Sequence, residues 1–250
     1  MNTDKYLIAT DFDGTLNRGG VSERDRDAIK RFRAAGNLFG VVTGRDTYMR
    51  ETLLEANVDF DFVVVLNGAI ILDSDGNTLF ESTCDGACIR GICDLFAEYD
   101  THLSCVYRRD RITFKSKYPD GNERYAPLSE IPKITRFTML NSVVSSDAAA
   151  TEATARINRE FGGYVNALQN GQCIDIPPRG IDKGEGVARI AEIMGVSHDN
   201  IWCAGDNLND IAMIERFHGC AVPNARDEVK AAAERTYDGI YEIADTILSL

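Results

Sequence analysis

The amino-acid sequence predicts an α/β protein, in which a Rossmann-like parallel sheet core with helices on both faces is interrupted by an α+β domain with an antiparallel sheet. Buried apolar runs alternate with amphipathic helical segments over the first third of the 250 residues. Hairpin-type patterns replace this alternation over residues 83–179. The alternation of strands and helices resumes after residue 182. Hydrophobic residues make up 44% of the chain, which is enough for a sizeable core.

The first third of the sequence alternates strands with crossover helices, as a parallel sheet requires. Ser22 is the predicted N-cap of the first helix, because acidic residues follow it in the first turn, and Gly36 ends that helix. The predicted strands cover residues 6–10, 38–42 and 62–66, with a helix of about ten residues before the third strand and a hairpin over residues 70–80 after it.

The middle of the sequence has a different organisation, with two helices and several strand-like stretches joined by hairpins. Helices are predicted over residues 86–98 and 147–161, and strands over residues 102–108, 111–115, 134–141, 164–168 and 172–176. Residues 177–180 form a proline- and glycine-containing exit linker. We therefore expect a Rossmann-like core in residues 1–82 and 180–250 and an inserted domain in residues 83–179.

After the linker the α/β pattern returns. A helix that ends at Gly195 carries its apolar residues on one face. It is followed by a predicted strand over residues 201–204, a helix over 208–217, a strand over 219–222 and a helix over 225–235. The return of this pattern indicates one discontinuous core.

The charge balance excludes some classes of partner. Lysine and arginine number 27 against 39 aspartate and glutamate residues, a formal net charge of −12. This balance argues against binding to nucleic acid or to anionic membranes. No apolar run approaches the ~18 residues that a membrane-spanning helix needs, and no signal-peptide pattern opens the sequence. We expect a cytoplasmic protein.

The seven cysteines show no paired zinc spacing. We interpret them as small apolar residues of a reducing compartment. The alternative is that Cys84, Cys88 and Cys93 form a metal clip or a disulfide.

Polar side chains follow the predicted strands at their carboxyl ends. Asp11 and Asp13 follow the first strand, and Gly14 permits a sharp turn after them. Three further groups occupy equivalent places: Thr43-Gly44-Arg45, Lys183 at the start of a helix, and the segment from Gly205-Asp206 to Asn209-Asp210. Because loops at the carboxyl ends of parallel strands converge on one crevice, we expect these side chains to meet.

This set of residue types suits phosphoryl transfer. Asp11 and Asp206 could bind a hard divalent cation such as Mg²⁺, and Lys183, Thr43 and turn amides could hold phosphate oxygens. One carboxylate can attack phosphorus, while a second can protonate the leaving oxygen and then activate water.

The motif Asp11-Phe12-Asp13-Gly14-Thr15-Leu16 resembles the first motif of the haloacid dehalogenase-like phosphohydrolases. Thr43 resembles their second motif, Lys183 the third, and Gly205-Asp206-x-x-Asn209-Asp210 the fourth, in that order along essentially the whole chain. The segments 180–184 and 222–225 are similar to the Cof-type branch (class II, type B cap).

The resemblance implies specific roles. Asp11 would be the nucleophile and a magnesium ligand, Asp13 the acid/base and a ligand through its backbone carbonyl, and Asp206 the second carboxylate ligand. Thr43, Gly44, Lys183 and Asn209 would bind phosphate or substrate, with Asp210, Arg45 and Asn67 in support. The implied protein is a Mg²⁺-dependent phosphatase of a small phosphorylated metabolite, such as a sugar phosphate, with the inserted domain setting specificity. The oligomeric state is not predicted.

Other functions stay open at this point. The same residues would serve a phosphomutase, or a non-catalytic sensor of phosphorylated metabolites. Individual residues also have structural interpretations: Thr43 as a helix cap, Asp210 as a first-turn acid, Asn67-Gly68 as a tight turn, and Arg45 as a surface helix residue.

Two features of the inserted domain also allow two interpretations. A basic and aromatic stretch over residues 107–118 could bind substrate or nucleic acid, or could be a hairpin with Ile112 and Phe114 inward, which we favour. Asp175 could contact substrate or be a solvated strand end.

Overall fold

The computed structural model describes residues 5–250 and divides into two compact units. The first unit contains the chain up to Phe80 together with Lys183–Leu250, and the second contains Glu81–Asp182. The functional boundaries after residues 82 and 179 remain predictions from the sequence.

The first unit is built on one eight-stranded sheet, ordered β15-β14-β13-β1-β2-β3-β4-β5. Its pairings from β15 to β3 are parallel, and β4 pairs antiparallel with β3. The strands are β1 (Leu7–Thr10), β2 (Leu38–Val42), β3 (Phe62–Val65), β4 (Ile70–Asp73), β5 (Thr78–Glu81), β13 (Ile201–Gly205), β14 (His218–Ala221) and β15 (Arg235–Thr236). The predicted mostly parallel core sheet is confirmed.

Within residues 5–250, six α-helices belong to this unit, and every residue of β1 and β3 is buried, as expected for a sheet covered on both faces. The helices are α1 (Glu23–Ala34), α2 (Met49–Glu55), α5 (Lys183–Met194), α6 (Ile211–Ile214), α7 (Asp227–Ala232) and α8 (Ile240–Leu248). On one face, Leu7 and Ala9 belong to the same buried apolar cluster as Val187 and Ile190 of α5.

The first helix shows how local sequence determines an element. The side chain of Ser22 caps α1 by accepting a hydrogen bond from the Asp25 amide at 3.0 Å. Ala28, Ile29 and Phe32 are spaced to form one apolar face, and all three are buried. The helix ends before Gly36, whose φ of +91° suits glycine.

The second unit is an α+β fold with a five-stranded antiparallel sheet, ordered β11-β12-β10-β7-β8. A separate pair, β6 with β9, is also antiparallel. Apolar residues of the five-stranded sheet and of both helices form one buried core. The elements are β6 (Cys84–Asp85), α3 (Ile89–Ala97), β7 (Leu103–Tyr107), β8 (Asp110–Phe114), β9 (Arg136–Phe137), β10 (Met139–Val143), α4 (Asp147–Phe161), β11 (Leu168–Asn170) and β12 (Cys173–Ile176).

Two strand predictions in this unit are wrong in detail. The predicted strand 134–141 is divided between β9 and β10, which pair with different partners. The predicted strand 164–168 is displaced, since β11 begins only at Leu168. The amides of Tyr164 and Val165 instead donate to the carbonyl of Phe161 in a turn that closes α4.

The end of the first unit also differs from prediction. The predicted helix 208–217 is a 3₁₀ turn, Leu208–Asp210, followed by the short α6, and the predicted helix 225–235 is limited to α7. Residues 235–236 instead form β15, which pairs with β14. Helix α8 was not predicted.

The structure agrees with the interpretation of the cysteines as small, mostly buried residues. All seven cysteines are free thiols, and six of them are buried. Within residues 5–250, the one group of potential metal-binding side chains consists of aspartates, so no cysteine metal clip is found there. No helix in this part of the chain is both long enough and apolar enough to cross a membrane.

Candidate active site

Asp11 lies at the carboxyl end of β1, in the middle of the first unit's sheet. Its backbone N–H donates to the carbonyl of Ala204 on the adjacent strand β13 at 2.8 Å. This pairing continues the parallel register in which Thr10 lies opposite Ala204. The side chains that follow β1 and β13, including Asp206, therefore emerge side by side.

The turn after Asp11 approaches Asp206 closely. Gly14 has a φ of +86°, and a Cβ atom there would lie 2.4 Å from Oδ2 of Asp206. Glycine is therefore needed at this position for both its conformation and its size. The next residue, Thr15, donates its hydroxyl hydrogen to Oδ1 of Asp206 at 2.7 Å, which orients the carboxylate.

Lys183, the first residue of α5, lies between two carboxylates. Its Nζ atom donates to Oδ1 of Asp11 at 2.6 Å and also to Oδ1 of Asp210. The Lys183 side chain is 1% exposed. A buried ammonium group needs such partners, because its removal from water costs about 5 kcal/mol.

Asp210 organises the loop after β13. Its Oδ2 atom accepts hydrogen bonds from the backbone N–H groups of Asp206 and Asn207, both at 2.9 Å. Its other oxygen accepts from Lys183. The interpretation of Asp210 as an ordinary first-turn acid is therefore incomplete, since this carboxylate connects the loop to the buried lysine.

Burial controls the protonation of these groups. Burial raises the pKa of Asp11 to about 8, although the nearby Lys183 opposes this shift. Burial also raises the pKa of Asp206. Burial alone would lower the pKa of Lys183, but the carboxylates of Asp11 and Asp210 hold it above its ordinary value. Lys183 is thus a permanent cation, whereas an ionised Asp11 needs additional positive charge.

The carboxylates form a donor set suited to a hard cation. Oxygen atoms of Asp11, Asp206 and Asp210 lie within 4.8 Å of one another. Both oxygens of Asp210 already accept hydrogen bonds, which leaves Asp11 and Asp206 as the better candidates for ligands. An all-oxygen set with two carboxylates fits Mg²⁺.

The loop after β2 contains Thr43, Gly44 and Arg45. Thr43 is buried, and its N–H donates to the carbonyl of Val64 on β3 at 2.8 Å. Its hydroxyl oxygen accepts a hydrogen bond from the Arg45 amide at 3.1 Å. The interpretation of Thr43 as a helix cap is wrong, because α2 begins only at Met49 and has Tyr48 as its N-cap.

Arg45 pairs with Asp13. Its guanidinium group donates to both oxygens of the Asp13 carboxylate, from Nε and Nη2, each at 2.6 Å. Arg45 precedes α2, so its interpretation as a surface helix residue is also wrong.

A left-handed turn follows β3. Leu66, Asn67 and Gly68 have φ values of +52°, +52° and +105°. The amide of Leu66 donates to the carbonyl of Arg45 at 2.9 Å, and that of Asn67 to the carbonyl of Thr43 at 3.0 Å. The turn therefore fixes the loop after β2.

The same turn also contacts the loop after β13 and the first turn of α5. The side-chain oxygen of Asn67 accepts a hydrogen bond from Nδ2 of Asn209 at 3.1 Å. A Cβ atom at Gly186, in the first turn of α5, would lie 2.9 Å from the Cα atom of Gly68. Asn67-Gly68 is the tight turn that one interpretation predicts, and it also links three of the four predicted motifs.

The sequence did not identify every residue of this site. Thr15, Asn207 and Asn224 also hold the loops, and Asn224 donates to the carbonyl of Gly14 at 2.8 Å. In the sequence, the segment 222–225, which contains Asn224, shows only a resemblance to one branch of a family. Its contact with Gly14 spans 210 positions, which spacing in the sequence does not reveal.

The second unit contains the two features that allowed alternative interpretations. Residues 107–118 include the β7–β8 hairpin, with Phe114 fully buried and Ile112 packed against the same core. This confirms the interpretation of the stretch as a hairpin with these two residues inward. Asp175 is only 5% exposed, so the interpretation as a solvated strand end is wrong.

Comparison with known proteins identifies the family of this arrangement. The family model for haloacid dehalogenase-like hydrolases matches residues 8–243. A 5-amino-6-(5-phospho-D-ribitylamino)uracil phosphatase of Bacillus subtilis is 28% identical over 95% of this chain and 91% of its own length. A pyridoxal phosphate phosphatase of Escherichia coli is 26% identical over 91% of each chain.

The solved structures support the fold. The structure of a subclass IIB sugar phosphatase of the haloacid dehalogenase superfamily superposes with a TM-score of 0.81, at 16% identity, over 98% of this chain and all of its own. At 16% sequence identity, this structural similarity supports the fold alone.

Proposed function

This chain belongs to the haloacid dehalogenase-like hydrolase family and is a phosphoric monoester hydrolase, and from that premise we propose that it hydrolyses a small phosphorylated metabolite through an aspartyl-phosphate on Asp11, with Mg²⁺ as cofactor. The observation that carries this proposal is the buried contact of Lys183 with Asp11, with Asp206 beside them. It supports Asp11 as the nucleophile, because positive charge that can hold phosphate oxygens lies beside this carboxylate.

In the first step, an oxygen of Asp11 attacks phosphorus and the bond from phosphorus to the leaving oxygen breaks. Asp13 supplies a proton to that oxygen, and the free alcohol departs. Lys183 keeps its charge throughout and stabilises the phosphoryl oxygens together with the hydroxyl of Thr43 and the amide of Gly44.

In the second step, water attacks the phosphorus of the aspartyl-phosphate. Asp13, now ionised, takes a proton from this water, and the bond between phosphorus and Asp11 breaks. Inorganic phosphate leaves and both carboxyl groups return to their starting states. Asp210 and Asn209 hold the loop of Asp206 and Lys183 in place through both steps.

Asp11 and Asp206 would hold Mg²⁺, together with the backbone carbonyl of Asp13. When bound, the ion supplies positive charge that keeps Asp11 ionised and offsets the negative charge of the transferring group.

We assign substrate discrimination to the second unit. Its helices cover the sheet face that carries Leu140 and Ile174, and the neighbouring residues Asn141 and Asp175 face the other way. Arg111 donates to the side-chain oxygen of Asn141 at 2.7 Å, and Asp175 is in register with Asn141. Such polar groups suit the hydroxyls of a sugar phosphate or a similar metabolite.

A turnover screen tests the proposal. Wild-type protein and Asp11→Asn are incubated with a set of sugar phosphates, nucleotides and cofactor phosphates, with Mg²⁺ or with a chelator, and phosphate release is measured. We expect Mg²⁺-dependent release for a subset of substrates and none from the variant, whose fold is checked by circular dichroism. Appreciable turnover by Asp11→Asn would overturn the nucleophile assignment.

The same screen separates the two alternative functions. A phosphomutase would convert a hexose phosphate into an isomer without releasing phosphate. A sensor would leave every phosphomonoester intact while still binding one of them, as a thermal shift would report. Either result would replace the phosphatase proposal.

A further inference from the structure

Arg45 is more closely restrained than an exposed arginine needs to be. Its amide donates to the hydroxyl of Thr43 at 3.1 Å, and its carbonyl accepts from the amide of Leu66 at 2.9 Å. Its guanidinium carbon lies 5.2 Å from the centre of the buried Phe12 ring, a cation–π arrangement. Backbone and side chain are thus both fixed.

The turn that holds the Arg45 carbonyl is strained. Leu66 has a φ of +52°, in the left-handed region that branched, bulky residues rarely adopt. Such strain persists only where the surrounding structure enforces it, and it is concentrated at functional sites. Here the strained residue, Leu66, holds the backbone of Arg45, the residue that pairs with Asp13.

The contact between Arg45 and Asp13 is bidentate and exposed. Both carboxylate oxygens are engaged at 2.6 Å, while the Arg45 and Asp13 side chains are 33% and 51% exposed. An exposed ion pair adds little to folding stability, so stability does not account for this geometry. A planar fork, however, fixes the plane and direction of a carboxylate, which a lysine cannot do.

Asp13 has no other side-chain partner of this kind. Over residues 5–250, Arg45 is the one side chain that forms an ion pair or a hydrogen bond with its carboxylate. Without Arg45, a half-exposed aspartate on a turn would sample several rotamers.

We propose that Arg45 is a positioning residue that acts through Asp13, by holding its carboxylate in the orientation from which protons are exchanged with the leaving group and with water. This inference rests on the proposed role of Asp13. The bidentate pair is the arrangement of the ionised Asp13, and when Asp13 carries the proton, the protonated oxygen is released from the guanidinium. The other oxygen stays paired and keeps the direction of the carboxylate.

The leaving group distinguishes this role from substrate binding. An alkyl phosphate such as a hexose 6-phosphate releases a poorly acidic alcohol, which needs a proton from Asp13. p-Nitrophenyl phosphate releases a stable phenolate, which does not. Loss of Arg45 should therefore slow the first step for the alkyl ester far more than for the aryl ester.

A double-mutant cycle tests the inference with both substrates in the presence of Mg²⁺. Asp13→Asn should lower the rate of leaving-group release in a single turnover, which reports the first step alone, by about 10²- to 10⁴-fold for the alkyl ester. Arg45→Ala should lower it by about 10- to 100-fold, with a much smaller loss for p-nitrophenyl phosphate and little change in KM. In the Asp13→Asn background, the same substitution should have almost no further effect. Arg45→Lys, which keeps the charge without the fork, should recover only part of the loss.

Arg50→Ala is the matched control, because Arg50 lies on α2 and donates to the carbonyl of Ser74 instead. It should leave both rates unchanged. Equal losses of the first-step rate for the two esters, or a loss of that rate that persists in full without Asp13, would show that Arg45 binds substrate and would overturn the inference. Unchanged kinetics of Arg45→Ala would overturn it as well. Activity of Asp11→Asn would instead refute the proposed function, so the two failures are distinguishable.

Discussion

The two units of the molecule stabilise their interiors in different ways. In the first unit, a fully buried lysine lies between the carboxylates of Asp11 and Asp210 at the end of a parallel sheet. In the second unit, the core between sheet and helices is apolar, with Phe114, Leu140 and Ile157 among its fully buried members. Buried charges are costly and are retained where they perform chemistry. The contrast therefore separates the unit in which we propose the chemistry from a unit whose core between sheet and helices is built for packing.

The largest expected effect comes from removing the buried cation of the first unit. Lys183→Met leaves Asp11 and Asp210 buried without their partner, which should lower the free energy of unfolding by about 3–5 kcal/mol. It should also lower kcat/KM by more than about 10³-fold, because a charge next to the phosphoryl group is lost. Urea denaturation and phosphate release measure the two effects.

Lys115→Met provides the comparison in the second unit. Lys115 also pairs with an aspartate, Asp100, at 3.0 Å, but that partner is 80% exposed. The loss should therefore be below about 1 kcal/mol. Similar losses for the two variants would contradict the contrast between the units.

The second prediction concerns the pH dependence of magnesium binding. Burial raises the pKa of Asp11 to about 8, so below that pH the metal-free protein holds a proton that Mg²⁺ must displace. The dissociation constant should fall about tenfold per pH unit between pH 6 and 8 and then level off. Titration calorimetry in buffers of different ionisation enthalpy should detect close to one released proton at pH 6.5 and none above pH 9.

The raised pKa of Asp11 also predicts how the stability of the metal-free protein changes with pH. A carboxyl group with a raised pKa in the folded state makes the folded protein bind more protons than the unfolded chain between about pH 4 and 8. The metal-free protein should therefore lose stability as pH rises through this range, and Mg²⁺ should offset the loss. A dissociation constant that does not change between pH 6 and 8 would argue against Asp11 as a ligand.

The third prediction addresses the close approach of Gly14 to Asp206. Gly14→Ala places a methyl group 2.4 Å from Oδ2 of Asp206, and alanine at a positive φ costs about 1–2 kcal/mol in addition. We expect magnesium affinity to fall by about tenfold or more. Gly19→Ala is the control: Gly19 has a similar φ of +91°, with nothing within 4 Å of the added Cβ. It should lose stability while magnesium affinity stays unchanged.

The sequence predicted the two units unequally well. Asp11, Asp206 and Lys183 could be placed together because parallel strands converge at their carboxyl ends, and the structure brings them into contact. Asp13 with Arg45, Thr15 with Asp206 and Asn67 with Asn209 could not be paired, since these contacts depend on side-chain directions across 32, 191 and 142 positions. In the second unit, short strands such as β9 and β11 were misplaced, because apolar periodicity over two or three residues carries little information.

The smallest expected effect tests whether the second unit selects substrates. Arg111→Ala removes a donor that holds the side chain of Asn141 at 2.7 Å, so the polar face of the sheet loses a charge and an oriented amide. We expect kcat/KM to fall by about tenfold for the preferred metabolite, the effect of about one lost hydrogen bond to a charged group, and to stay constant for p-nitrophenyl phosphate, which lacks hydroxyls to recognise. Arg90→Ala is the matched control, because Arg90 lies on α3 of the same unit and pairs with the exposed Asp94; it should change neither rate. If Arg111→Ala slowed both substrates equally, the second unit would influence the chemistry itself, and the division of labour between the two units would have to be abandoned.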